Sequence, residues 1–329
     1  MTAEDEEELT YAGAGVDIDA SEAATAALVG EVAAIEGTAD YAGLVDVGDR
    51  YLALATDGVG TKLLVAEAVG DYSTVGIDCV AMNVNDLVAS GVRPVAFVDY
   101  LAVDEPDAEL TRQLGEGLAA GAEEAGVALV GGETAVMPEV ITGFDLAGTV
   151  AGLAPKDAVF PGEAAVGDAL VGFPSSGIHS NGLTLARQAA SRNHDYDDPF
   201  PLDESRTVGE VLLEPTRIFT YLLDALADRD VHAAAHVTGG GWTNLSRMGE
   251  RRYVVTDPFD AQPVFQFVQA EGRVSDEEMH RTFNMGTGFV AAVAAGDVDA
   301  VAAATEDGRV IGRVESGDGT VAVRGLSLS

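Results

Sequence analysis

Lysine is almost missing from this chain. Of 18 basic residues in 329, only Lys62 and Lys156 are lysines and the rest are arginines. Against them stand 55 acidic residues, giving a formal charge of −37. A field of that sign excludes nucleic acid and anionic membrane as partners, because every phosphate contact would be made against it. It leaves room for a small phosphorylated ligand, since a local cluster of backbone N–H groups and one lysine can overrule the global potential. No acidic block extends beyond Glu4–Glu8. The excess therefore reads as adaptation to a salt-rich cytosol, where exposed carboxylates are screened and hydrated.

Cysteine is nearly as scarce. Cys79 stands alone, which excludes an intrachain disulfide and a cysteine-based metal centre. Its surroundings, GIDCVAMNV, predict a buried, inert thiol. No uninterrupted apolar run reaches the roughly 18 residues of a membrane span. The acidic start MTAEDEEELT lacks the basic-then-apolar order of a signal peptide, so a cytoplasmic protein is expected. Hydrophobic residues make up 47% of the chain, enough for real cores, and its length allows two domains.

Periodicity and punctuation predict strands at Tyr51–Thr56, Val95–Val103, Val127–Val130 and Phe144–Leu153, and helices at Cys79–Ala89 and Asp107–Gly126. The second of these helices places Leu110, Leu114, Leu118 and Ala122 on one face. Two prolines and a glycine in Pro155–Gly162 mark a domain boundary. Beyond it, strands are expected at Ala169–Phe173, His232–Val237, Gly288–Ala294, Arg309–Val314 and Thr320–Val323. Helices are expected at Ser180–Arg192, Pro215–Arg229, Trp242–Met248, Glu277–Thr282 and Val298–Thr305. Helices alternate with strands without strict βα units, which predicts an α+β fold of two sandwich domains. The boundaries are an acidic tail and loop at 1–20, an N-terminal domain at 21–156 and a C-terminal domain at 163–329.

Glycine, by contrast, is plentiful, and it gathers with polar residues in five segments. They are DGVGTK (57–62), MNVNDLVASGVRP (82–94), VGGETAVMP (130–138), SSGIHSNG (175–182) and HVTGGGW (236–242). DGVGTK is neither a Walker phosphate loop nor GxGxxG. Even so, Gly58 and Gly60 let backbone approach an anion, Lys62 adds charge and Asp57 can hold a metal. Asp86, beside Asn85 in an apolar helix, needs a partner or a cation. GGET sets Glu133 and the Thr134 hydroxyl after Gly131 and Gly132, read as a strand end. Carboxylate oxygens without cysteine point to Mg²⁺ rather than zinc. SSGIHSNG has the form of a strand-to-helix junction, with Ser180 or Asn181 near the helix N-terminus and His179 inside it. His236 precedes three glycines and a helix start.

In order and wording these segments resemble the phosphoribosylformylglycinamidine cyclo-ligase (aminoimidazole ribonucleotide synthetase) family. The likeness runs from about Tyr11 to near the C-terminus and takes in AGVDID, TDGVGTK, MNVNDL, GGETA, HSNG, LLEPTRI, HVTGGG and RTFNMGTG. It implies two α+β domains, with N-terminal sheets pairing across a homodimer interface. It also implies ATP and Mg²⁺ as cofactors, with formylglycinamidine ribonucleotide cyclised through an imidate phosphate. By that resemblance Asp57, Asp86 and Glu133 would hold Mg²⁺, with Asp17 as a further candidate. Gly58, Gly60, Thr61, Lys62, Gly131, Gly132 and Thr134 would hold ATP phosphates. His179, His236 and Asp86 would be catalytic, and Ser180, Asn181, Gly239 and Gly240 would contact substrate. Where relatives often carry Lys-Asp, this chain has Ala12 and Gly13. Selenophosphate synthetase, thiamine-monophosphate kinase, a hydrogenase maturation factor and a glutamine-dependent synthetase are the nearest rival families. A non-catalytic nucleotide-binding subunit is the rival of another class, disfavoured by the retained histidines and carboxylates.

Overall fold

The computed structural model describes residues 8–17, 20, 23–27 and 41–328, so residues 1–7, 18 and 19 of the expected tail and loop lie outside the described residues. Strands β1 (Gly43–Asp46) and β2 (Arg50–Gly58) form a hairpin, followed by helices α1 (Lys62–Val69) and α2 (Val75–Ala89). Strand β3 (Pro94–Val103), helix α3 (Ala108–Ala125) and strands β4 (Ala128–Val136) and β5 (Phe144–Pro155) complete the first half. Its sheet has the order β1-β2-β5-β3-β4, with β3 and β4 parallel and the other pairs antiparallel.

Helix α3 forms where its sequence pattern predicts. Asp107 caps it by accepting from the Glu109 and Leu110 N–H groups, and Gly126 ends it in the left-handed region at φ 68°. Leu114, Leu118 and Ala122 are buried. The helix crosses α2 at backbone contact. A Cβ on Gly76 would lie 2.1 Å from the Leu118 nitrogen, and one on Gly117 would lie 2.6 Å from the Ser73 carbonyl oxygen. Only glycine fits there.

In the second half, β6 (Ala169–Pro174) leads to α4 (Leu183–Ala190), and a small ribbon of β7 (Pro199–Phe200) and β8 (Asp203–Thr207) leads to α5 (Val208–Leu212). Then come α6 (Leu222–Leu226), β9 (Val231–His236), a 3₁₀ helix at Gly241–Met248, β10 (Arg252–Val255), α7 (Pro263–Gly272) and α8 (Asp276–Thr282). The chain finishes with β11 (Thr287–Val293), α9 (Val298–Ala303), β12 (Arg309–Glu315), β13 (Val321–Val323) and β14 (Leu326–Leu328). The second sheet has the order β14-β13-β10-β12-β6-β11-β9 and is antiparallel except at β10–β13. The α+β architecture with two sheets is the expected one.

One apolar cluster joins the halves, running from Val84 and Leu87 of α2 through Leu185 and Ala186 of α4 to Phe265 and Val268 of α7. The two halves therefore share one packed core. Residues 8–17 dock on the second half. The Leu9 N–H reaches the Gly272 carbonyl, the Tyr11 N–H reaches Glu278 Oε1, and Gln188 Nε2 donates to the Ala14 carbonyl.

Three local expectations need correction. The helix predicted at Pro215–Arg229 is confined to Leu222–Leu226, and 214–219 is an irregular strap whose backbone groups bond sideways to α1 and α2 side chains rather than along a helix. Gly131, Gly132, Glu133 and Thr134 are not at a strand end but inside β4, where they pair with Val98–Leu101. Gly132 leaves room in that strand for the Asp99 side chain, whose Oδ1 would lie 2.3 Å from a Cβ there. Helix α4 starts after Gly182, so Ser180 and Asn181 belong to the preceding turn.

Lys62 is buried against Asp78 and Lys156 pairs with Asp46, so arginines supply nearly all the remaining positive charge against the carboxylates. The charge of −37 repels itself over about 30 Å at 0.01 M ionic strength but only about 3 Å at molar salt. Thermal melts should therefore rise by about 10 °C or more between low and molar KCl. A melting temperature flat across that range would refute the salt adaptation.

Candidate active site

The site grows from the C-terminal end of β2, the middle of α2 and the end of β9. Asn83, buried in α2, accepts from the Asp57 N–H at 2.9 Å and donates to the Asp57 carbonyl at 3.1 Å, fixing the backbone where the strand ends. Asp57 Oδ1 then accepts from the Gly58 N–H at 2.7 Å. One helical turn away, Asp86 Oδ1 lies 3.1 Å from His236 Nδ1 at the end of β9. The other ring nitrogen, Nε2, lies 3.3 Å from Asn85 Nδ2. Asn85 accepts from the Phe219 N–H through Oδ1 and donates to the Arg217 carbonyl through Nδ2. That orientation makes His236 Nε2 an acceptor and puts the ring proton on Nδ1, facing Asp86.

Burial pushes the Asp57 carboxyl up to about 6, and the neighbouring Asp86 charge adds to the rise. The Gly58 N–H, His236 and Arg247 pull the other way. Arg247 stacks on the Tyr41 ring at 5.2 Å, and the Tyr41 hydroxyl contacts the His236 carbonyl oxygen at 3.4 Å, which ties this cation to the site. The Asp57 carboxyl, raised by burial and by the Asp86 charge near it, marks a place where a cation is welcome. Among the described residues neither Asp57 Oδ2 nor Asp86 Oδ2 receives a hydrogen bond.

His179 is fully buried, and at φ 66° it holds a backbone conformation unusual for a side chain of its size. Nε2 accepts from the Ser176 N–H at 3.2 Å and faces the Arg217 N–H at 3.5 Å. Nδ1 has no partner. Burial first, and the nearby His236 second, hold this imidazole well below its usual value, so it is neutral. Phe219 lies between the two histidines, with ring centroids 6.4 Å from His179 and 6.3 Å from His236.

Beside these groups opens a cleft of about 270 Å³. One wall is Asp57–Thr61 and the other is Ser180–Gly182, with Tyr11 and Met82 between them. The Ser180 hydroxyl donates to the Val59 carbonyl at 2.9 Å, and Thr61 and Thr184 join hydroxyls at 3.0 Å, pinning the walls together. Gly239 adjoins Asn181, whose Oδ1 would be 3.5 Å from a Cβ at that glycine. Asn244 holds the Gly239–Gly240 turn through the Thr238 N–H and the Gly239 carbonyl. Helices α1 and α4 both begin at this cleft, and neither has a side-chain cap on its first-turn N–H groups.

The structure thus brings together Asp57, Asp86, His236, Gly58, Gly60, Thr61, Ser180, Asn181, Gly239 and Gly240, with His179 behind them. Glu133 is not among them. Its strand is separated from β2 by β5 and β3, about 14 Å of sheet. In the register Gly58–Ala147–Tyr100–Glu133 it falls one residue out of step with Asp57, on the opposite face. Gly131, Gly132 and Thr134 share that distant strand. The expected three-carboxylate cluster is therefore not formed within one chain, and no group of three or more metal-ligating side chains occurs among the described residues. Asp17 is exposed, with Oδ1 accepting from the Ala20 N–H. Lys62 does not face the cleft. It is fully buried against Asp78. Sequence reasoning missed Asn83, Asn85, Asp78 and Arg247. A lone carboxylate, Asp78, in the apolar run GIDCVAMNV was the available signal for one of them.

The AIR synthase related protein N-terminal domain family matches residues 39–154, and the corresponding C-terminal domain family matches residues 165–324. The phosphoribosylformylglycinamidine cyclo-ligase of Methanosarcina acetivorans is 47% identical over 323 residues, covering 95% of this chain and 97% of that protein. The one from Thermococcus gammatolerans is 48% identical over 299 residues, 87% and 88% of the two chains. Among solved structures, AaThiL complexed with AMPPCP and TMP superposes with a TM-score of 0.69 at 16% identity, covering 95% of this chain and 97% of that one. At that identity the likeness is one of fold. Among the described residues no helix is long and apolar enough to cross a membrane. On its matched halves and its near-full-length relatives, the chain belongs to the AIR synthase related family, as a member of its phosphoribosylformylglycinamidine cyclo-ligase branch.

Proposed function

We propose that this protein uses ATP to cyclise formylglycinamidine ribonucleotide to aminoimidazole ribonucleotide in purine biosynthesis in the cytoplasm, releasing ADP and phosphate. The observation that carries this reading is Asp57 in the wall of a cleft onto which two uncapped helix N-termini open, with the Asp86 charge near enough to act on it. The carboxylates supply a cation site and the helix N-termini supply anion sites. A solved structure of the same fold holds the ATP analogue AMPPCP, in keeping with nucleotide binding. Residues 21–156 would form the nucleotide and dimerisation unit and 163–329 the substrate unit.

The two carboxylates suit Mg²⁺, which typically takes one or two carboxylates and completes its shell with water and phosphate oxygens. When bound, Mg²⁺ would neutralise charge on the transferring phosphoryl group. Asp57 and Asp86 would hold it through their free oxygens, while His236 orients Asp86 from behind. Gly58, Gly60, Thr61 and the first turn of α1 would take triphosphate oxygens. Ser180, Asn181, Gly239 and Gly240 would contact the ribose or phosphate of the substrate. The formyl oxygen leaves poorly as it stands. Phosphorylated by ATP it becomes an imidate phosphate, the neighbouring amidine nitrogen attacks that carbon, the ring closes and phosphate departs. The enzyme's share is positioning and charge neutralisation, with His179 and His236 as the polar groups beside the reacting amide.

The face of the first sheet turned away from α2 and α3 exposes Leu54, Val98, Tyr100 and Leu153. An uncovered apolar face of this kind suits a second copy of the chain. Glu133, on that same face beside Tyr100, would then belong to the homodimer contact rather than to the Asp57 site of its own chain.

Substrate carrying heavy oxygen in the formyl group tests the route. The released phosphate should carry the label in full. Unlabelled phosphate would mean that water, not substrate, receives the phosphoryl group.

A further inference from the structure

An ammonium taken out of water costs several kcal/mol unless it is paired and hydrogen-bonded. Lys62 is fully buried, with Nζ 2.8 and 2.7 Å from the two Asp78 oxygens and donating to the Glu214 carbonyl at 2.6 Å. Asp78 Oδ1 also accepts from the Thr216 N–H at 2.8 Å and from its hydroxyl at 2.6 Å. One residue from α1 and one from α2 thus grip the 214–216 stretch of the strap, which has no helical or sheet ladder of its own. The next residues of the strap reach both histidines. The Arg217 N–H faces His179 Nε2, and Asn85, which binds the Arg217 carbonyl and the Phe219 N–H, contacts His236 Nε2.

We propose that the buried Lys62–Asp78 pair is a positioning device that locks the Glu214–Phe219 strap, so that His179 and His236 each keep Nε2 as an acceptor and carry the ring proton on Nδ1. His236 then presents its N–H to Asp86, and His179 keeps a buried Nδ1–H that meets no acceptor among the described residues. Lys62 acts through the strap and touches no phosphate. The kinetic consequence rests on the cyclo-ligase reading above, but the ring geometry does not.

Ring-nitrogen NMR on protein labelled at histidine, without substrate, tests the geometry. The parent protein should give Nδ1–H, Nε2-acceptor rings for both residues, and an Nε2–H tautomer at either would overturn the proposal. Lys62→Met should change these signals and lower kcat at least fivefold, with ATP affinity within about twofold of the parent. Because a lone Asp78 charge can cost the fold itself, Lys62→Met/Asp78→Leu is the companion variant, since apolar replacement of a buried pair is often neutral or stabilising. Unchanged ring signals in either folded variant, or a tenfold loss of ATP affinity from Lys62→Met, would overturn it. If the ring signals shift while the parent makes no aminoimidazole, the substrate assignment fails and the strap device stands.

Discussion

Asp86→Asn is expected to lower kcat by about 100- to 1000-fold while moving the melting temperature by no more than about 2 °C. The side chain is 21% exposed, and its one hydrogen bond among the described residues is with His236 Nδ1 at 3.1 Å. An asparagine can offer its carbonyl to the same N–H, so the ring stays in place and little packing is lost. What disappears is the charge, together with the free oxygen that a cation needs. A second signature follows from the Asp57 carboxyl, which stands at about 6 because of burial first and the Asp86 charge second. In the variant it should titrate lower but stay above its ordinary 3.8, because the burial persists. Steady-state turnover, a melt and carboxyl-carbon NMR read these three quantities. Turnover above a tenth of the parent's would remove Asp86 from the site.

Below pH 6 the Mg²⁺ affinity of the nucleotide-free enzyme should fall about tenfold per pH unit, because Asp57 must lose its proton before it can coordinate. The direction follows from the shift. Between the ordinary 3.8 and about 6, folded Asp57 keeps a proton that the unfolded chain has released. Without a cation, then, this group adds stability below pH 3.8 that is lost as pH rises through 6. Bound Mg²⁺ reverses the balance by favouring the charged form. Titration calorimetry at pH 7.5, 6 and 5 in constant high salt measures the effect. Equal affinity at pH 7.5 and 5 would exclude Asp57 as a ligand.

Much of the frame was legible because local signals and tertiary structure agree. Helix α3 has its cap, its stop and its apolar stripe in consecutive sequence, and β3 announces itself as a β-branched and aromatic run. The strap at 214–219 was not legible as such. Its residues carry no local bar to a helix after Pro215, and the forces that hold it extended come from Lys62, Asp78 and Asn85, more than 130 residues away. GGET read as a strand end because two adjacent glycines usually break a strand; here Gly132 makes room for the Asp99 carboxylate inside one. Grouping Glu133 with Asp57 failed for a related reason, since neither strand order nor facing is written in a motif. Lys62 was the deepest misreading. A lysine kept where nearly every other base is arginine, just after two glycines, suggests a phosphate ligand, yet here the ammonium is sealed in a buried ion pair. Burial decides between the two, and burial is a tertiary property. Asp57, Asp86 and His236, which the fold brings close together, stood out in the sequence because each interrupts an apolar or glycine-rich setting.

The most direct measurement combines purified protein, ATP, Mg²⁺ and formylglycinamidine ribonucleotide in high salt and follows the products together. Expected are one diazotisable aminoimidazole ribonucleotide for each ADP and each phosphate released, none of it without ATP, and nearly none with Asp86→Asn. ATP consumed without aminoimidazole, or its phosphoryl group left on a stable phosphorylated product, would contradict the cyclo-ligase reading.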